Sequence, residues 1–233
     1  MITKERKKQL DMDLWIIMLI SMLSLGIYMI FGSKINAIAY NSDINIVLRV
    51  LFMGGLFQFG LAGLGITVVS IIRKESFIGY GLHSNKLLLS IALTALCCLP
   101  DLVYNLYAGN VHAWLPFSDV NLTFEVLSSG FPFNVLGMLV IAICWGFFEG
   151  FNYVVIADKL SELLPSKNRF WDWGAFICAI MCIVVHGAIG VTPDAIIEML
   201  CTMFLIYGML MVRKKTGNAW GCVLIFFVYW NAL

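Results

Sequence analysis

Residues 131–157 read FPFNVLGMLVIAICWGFFEGFNYVVIA, and this stretch decides the fold class. Glu149 is its only charged residue. A helix of this length rises ~40 Å at 1.5 Å per residue, which is enough to cross a hydrocarbon core of ~30 Å. The stretch therefore predicts a transmembrane helix that carries one acidic side chain at membrane depth.

The rest of the chain has the same apolar character. Of its 233 residues, 61% are hydrophobic and 12% are charged, and the mean hydropathy is +0.91. Soluble domains carry about 25% charged residues. We expect an all-α, polytopic transmembrane bundle that forms a single domain over residues 1–233. The predicted spans are seven: 13–31, 46–72, 86–106, 132–163, 171–190, 194–212 and 217–233.

The basic residues predict the orientation of these spans. Thirteen of the 15 Lys and Arg residues fall on the same side of the predicted membrane as the N-terminus, and only Lys34 and Arg49 fall on the opposite side. The thirteen are Lys4, Arg6, Lys7, Lys8, Arg73, Lys74, Lys86, Lys159, Lys167, Arg169, Arg213, Lys214 and Lys215. The positive-inside rule then predicts a cytoplasmic N-terminus. Trp114 and Trp230 are expected at the outer interface. The net charge of +1 offers no electrostatic reason to bind nucleic acid.

Polar residues recur at one predicted depth. Measured along the helix axis from each cytoplasmic helix end, the rise is ~21–22 Å to Glu149, His186 and Asn231. The rise to Asp101 and Glu198 is ~21–23 Å. A charged group inside a bilayer costs at least a few kcal/mol, so it usually has a function or an interior partner. We expect the first three to share an interior site, with Asp101 and Glu198 as possible supporting members.

Two chemistries fit this set of residues. Histidine and carboxylate are zinc ligands, so Glu149 and His186 are candidate metal ligands, and zinc is the candidate cofactor. Without a metal, Glu149 would act as a base while His186 and Asn231 stabilise an oxyanion. Asn152 lies three residues after Glu149 and therefore on the same helical face, where it would support the carboxylate or bond a substrate backbone.

Three segments are similar to the CAAX-protease and bacteriocin-processing (CPBP) family of intramembrane proteases. They are FFEGFNYVV at 147–155, a histidine late in the fifth span, and FVYWN at 227–231. The lead-in IGYGLHSNKLLLSIAL at 78–93 also resembles that family. The resemblance covers roughly residues 75–233 and leaves residues 1–74 as two peripheral spans.

The family pattern reads EExxxR, FxxxH and HxxxN or HxxxD on successive core helices. Glu149, His186 and Asn231 match the first glutamate, the second-motif histidine and the final position. The other pattern positions differ, because this chain has Gly150, Val154, Cys182 and Phe227 where the family has glutamate, arginine, phenylalanine and histidine.

The resemblance implies a metal-dependent or glutamate-activated endopeptidase in a prokaryotic cell membrane. Its substrate would be a membrane-proximal peptide or a lipidated protein. The departures from the pattern imply an alternative, which is a catalytically degenerate protein of the same fold that binds a peptide or a partner, for example in immunity or maturation. Because intramembrane Glu and His also serve proton pathways, a small transporter is a third reading.

Overall fold

The computed structural model describes residues 2–111, 113–187 and 193–232, with side chains except at 185–187 and 193–195. Within these ranges the secondary structure is helical, with no β-strands. The helices are α1 (Lys4–Ala39), α2 (Ile46–Arg73), α3 (Leu87–Ala108), α4 (Thr123–Ser128), α5 (Phe133–Leu163), α6 (Trp173–Gly187), α7 (Pro193–Thr216) and α8 (Trp220–Val228). A short 3₁₀ helix at Phe77–Tyr80 connects α2 to α3.

Five of the helices are long and apolar enough to cross a membrane. They are Lys4–Ala39, Ile46–Arg73, Leu87–Ala108, Phe133–Leu163 and the Ile196–Thr216 part of α7. The first is much longer than the predicted span of 13–31, because the polar residues before and after the apolar run continue the same helix. The spans predicted over 171–190 and 217–233 correspond to the shorter helices α6 and α8, so a count of seven stays a prediction.

Two helices contain π-helical segments. Met53–Gly63 lies within α2, and Ala142–Phe148 lies within α5. The two segments pack against each other. At Gly54 an added Cβ would lie 3.1 Å from Cys144 Sγ, so the absence of a side chain permits this close approach.

The chain forms two compact units of interleaved segments. The first, called the Glu149 unit, comprises the described residues of Trp15–Glu75, Ala113–Asn152 and Val223–Leu233. Its apolar core includes Val50 from α2, Val126 from α4 and Ile141 from α5. The CPBP-like division at residues 74 and 75 concerns a family boundary and stays a prediction.

The second, called the Lys159 unit, comprises the described residues of Met1–Leu14, Ser76–His112 and Tyr153–Cys222. Its interior holds an ion pair in which Lys159 Nζ lies 2.9 Å from Asp13 Oδ2, with the side chains 3% and 0% exposed. Asp172 stands just before α6 and accepts a hydrogen bond from Ala175 N at 2.8 Å, which caps that helix. Lys214 also binds the Asp172 carboxylate.

Candidate functional site

Glu149 lies where α5 changes from π-helical to α-helical geometry. The π segment ends at Phe148, and Glu149 is the first residue of the α-helical remainder. π-helical segments inside α-helices are frequently found at functional sites. The backbone geometry and the lone charge in an apolar helix therefore both indicate that Glu149 is a functional residue.

Three neutral donors surround the Glu149 carboxylate within its unit. Gln58 Nε2 donates to Glu149 Oε2 at 2.8 Å, and the side chains of Asn231 and Trp230 donate further hydrogen bonds. Gln58 and Asn231 are 6% and 8% exposed. We call Glu149 and its three donors, Gln58, Trp230 and Asn231, the Glu149 cluster. A carboxylate has about four acceptor positions, so three donors leave about one for a ligand.

Asn231 is held by the cluster and by two backbone carbonyl groups. Its Nδ2 lies 3.3 Å from Phe226 O and 3.4 Å from Trp145 O. Helix α8 ends at Val228, so Asn231 lies in the turn that follows and not in the helix itself. The two carbonyl contacts hold the Asn231 amide in place beside Glu149.

Phe227 fills the place that the family pattern gives to a second histidine. An added Cβ at Gly146 would lie 2.7 Å from Phe227 Cε2, so the ring packs directly on the α5 backbone. The Phe227 ring also makes an edge contact with Phe117, with the two centroids 5.6 Å apart. An apolar ring packed in this way contributes shape to the site but no proton chemistry.

Asn152 carries an unsatisfied polar atom. Its Oδ1 is buried and has no hydrogen-bond partner, while the residue as a whole is half-buried. Asn152 lies three residues after Glu149 in the same helix, so the two side chains share a face. An unpaired buried acceptor costs about 1–3 kcal/mol, which a donor from a ligand would recover.

The other predicted site residues belong to the Lys159 unit. Asp101 is 6% exposed, and its Oδ2 accepts a hydrogen bond from Asn105 Nδ2 at 3.1 Å. Glu198 is exposed. His186 lies in α6, but its side chain is outside the described residues. Of the predicted trio, the structure brings Glu149 and Asn231 together, and the place of His186 stays a prediction.

The described donors by themselves do not fit zinc. Zinc in proteins is bound by thiolate, imidazole and carboxylate groups, and the Glu149 cluster supplies one carboxylate beside two amides and an indole. The N–H groups point at the carboxylate, which is the arrangement that suits an anion. In the described part of the chain, no three His, Cys, Asp or Glu side chains are grouped as metal ligands. The Glu149–His186 metal pair stays a prediction.

Sequence reasoning missed Gln58 and did not connect Trp230 with Glu149. Gln58 is the one amide in the glycine-rich segment MGGLFQFGLAG of α2, and a lone amide in an apolar span is a signal that was available. The side chain of Trp230 bonds Glu149, and its expected place at the outer interface stays a prediction. Tryptophan serves both roles, so the sequence does not separate them.

Comparison of the chain with protein-family models, curated proteins and solved structures gave no significant match. The resemblance to CPBP proteases therefore depends on the residues of the sequence alone.

Proposed function

We propose that the chain is a CPBP-like membrane protein that has lost efficient hydrolysis and uses the Glu149 cluster to bind a peptide or a peptide segment of a partner. The observation that carries this proposal is the buried, unpaired Asn152 Oδ1 on the Glu149 face. A backbone N–H of a bound peptide is the simplest donor for such an acceptor.

The groups around Glu149 favour binding over hydrolysis. The family's second glutamate and second histidine correspond to Gly150 and Phe227, and the latter ring packs against Gly146. General acid–base groups typically contribute about 10²–10⁴-fold to a rate. A site without them retains the capacity to hold a peptide but loses most of its capacity to cut one.

Peptide hydrolysis is the second candidate, and one feature of the cluster favours it. Gln58 and Asn231 are buried amide donors beside a carboxylate, and amides of this kind stabilise an oxyanion in other enzymes. In this alternative Glu149 would act as a base. Zinc held by Glu149 and His186 would be the corresponding metal-dependent form.

A binding and cleavage assay on one preparation separates the two candidates. The protein in nanodiscs would be incubated with a photo-crosslinkable peptide library, and both crosslinked and cleaved products would be read by mass spectrometry. We expect crosslinking without cleavage, and about tenfold weaker crosslinking for Asn152→Leu, which corresponds to the loss of about 1.4 kcal/mol.

Asn134→Leu is the matched control for this assay. Asn134 lies in the same helix and is also half-buried, but its Oδ1 already accepts a hydrogen bond from Val135 N at 2.8 Å. Its substitution should leave crosslinking unchanged. Cleavage by the wild type that disappears in both Glu149→Ala and His186→Ala would instead establish a protease, and zinc analysis of the same samples would identify its class.

We also propose that the N-terminus faces the cytoplasm of a prokaryotic cell. The distribution of the basic residues supports the orientation, and the resemblance to CPBP proteases supports the prokaryotic membrane. A single cysteine introduced at position 74, in a variant without the native cysteines, should be protected from a membrane-impermeant maleimide in intact cells and labelled only once the membrane is opened. Labelling from outside intact cells would contradict this orientation.

A further inference from the structure

The chain after α8 is held by a segment from elsewhere in the Glu149 unit. We call residues 113–131 the strap. Trp114 Nε1 donates to Val228 O at 2.7 Å, Leu115 N donates to Ala232 O at 3.1 Å, and Asp119 N lies 3.4 Å from Asn231 O. Val228 is the last residue of α8, and helix ends leave carbonyl groups that need donors from outside the helix. The strap supplies such donors on both sides of Trp230 and Asn231.

The strap has a defined and strained backbone. Phe117 and Leu122 have φ of +64° and +73°, which non-glycine residues adopt rarely. Both side chains are buried, at 4% and 7% exposure, in the apolar core of the unit. Strain of this kind costs about 1–3 kcal/mol per residue and persists only where packing enforces it. Packing therefore fixes the conformation of the strap. A change in the attachment of the strap should also displace the C-terminal segment that it holds.

One ion pair attaches the strap to helix α2. Arg49 Nη2 in α2 lies 2.7 Å from Glu125 Oε2 in α4, and Arg49 Nη1 donates to Ala39 O at 3.1 Å. The Arg49 side chain is 6% exposed, whereas the Glu125 side chain is 50% exposed. A buried guanidinium needs its counter-ion, so the interaction favours the attached position of α4.

We propose that the strap positions Trp230 and Asn231 on the Glu149 carboxylate, and that the Arg49–Glu125 ion pair is its anchor. Two of the three donors to Glu149 come from the segment that the strap holds. Release of the anchor frees that segment, removes those donors and opens the carboxylate to ligands. Glu125 and Trp114 are thus positioning residues for the site, because each acts through the C-terminal segment.

The test measures how accessible the Glu149 carboxylate is. A hydrophobic carbodiimide reacts with carboxyl groups inside membranes, and mass spectrometry of the protein in nanodiscs gives the labelling rate at Glu149. We expect Glu125→Gln to raise this rate about tenfold, the ratio that corresponds to about 1.4 kcal/mol. Glu125→Asp should restore much of the wild-type rate, and Glu5→Gln, which changes another exposed carboxylate, should leave it unchanged.

A double-mutant cycle separates positioning from a general loss of structure. If the strap acts through Asn231, Glu125→Gln should add little to the labelling rate once Asn231→Ala is present. Additive effects, or an unchanged rate in a Glu125→Gln protein of native thermal stability, would overturn the proposal. If Glu125→Gln does not fold, Trp114→Phe removes only the indole donor and should raise the rate by a smaller factor. An unchanged rate in that variant would also overturn the proposal.

Discussion

Replacing Glu149 by leucine and by glutamine should affect stability very differently. In Glu149→Leu the side chains of Gln58, Trp230 and Asn231 lose their shared acceptor. Three hydrogen bonds at about 0.6 kcal/mol each, the average between membrane helices, give a loss of about 2 kcal/mol. A penalty of about 1–3 kcal/mol for the buried Gln58 donor, which has Glu149 as its acceptor, would increase that loss.

Glu149→Gln keeps one acceptor oxygen, and the Gln58 amide can rotate so that its own oxygen accepts the new N–H. We therefore expect a loss below about 1 kcal/mol, comparable to a single neutral hydrogen bond. Reversible unfolding in mixed micelles with increasing dodecyl sulfate, followed by circular dichroism, would give both free energies. A Glu149→Leu protein as stable as the wild type would refute the reasoning, because it would show that the cluster contributes nothing to the fold.

Three further predictions concern packing and charge. Lys159→Met should lower the free energy of unfolding by about 3–5 kcal/mol because it removes the ammonium group that lies 2.9 Å from the buried Asp13 carboxylate, and adding Asp13→Leu should recover most of the loss in the same unfolding assay. Asp172→Ala should lower the unfolding temperature more than Asp172→Asn, since asparagine still caps α6 whereas alanine loses about 0.5–2 kcal/mol of capping as well. Gly146→Ala should lower the free energy of unfolding by about 1–3 kcal/mol because the added methyl group contacts the Phe227 ring, and adding Phe227→Leu should recover part of that loss. Equal stability of the single and double variants would argue against this packing.

Hydrophobic runs predicted the long helices well. The ends predicted for spans 46–72 and 132–163 lie within one residue of Ile46–Arg73 and Phe133–Leu163. Helix α1 was underestimated because its basic and polar flanks do not look like a span, although they form helix as readily as apolar residues do. The π-helical segments were not predicted, since their wider turns depend on packing between helices and not on composition.

The depth estimate brought Glu149 and Asn231 together for a reason that was only partly right. It treated the last span as a helix up to Asn231, whereas α8 ends at Val228 and the final residues turn. Asn231 reaches Glu149 because the strap and two backbone carbonyl groups hold that turn. The strap and Trp145 contacts join residues about a hundred positions apart, and a single sequence carries no periodicity that would reveal them.

The strap also explains how Glu149 and Asn231, which come from distant parts of the chain, stay together. Glu149 needs donors that do not come from its own helix, and Asn231 supplies one from a segment without helical support. A carboxylate with neutral donors from separate elements depends on every attachment of those elements, including an ion pair as distant in sequence as Arg49–Glu125. We therefore expect the ligand-binding role of Glu149 and the accessibility of its carboxylate to be separable. Substitutions at Glu149 should change the first, and substitutions at Glu125 should change the second while the carboxylate itself remains.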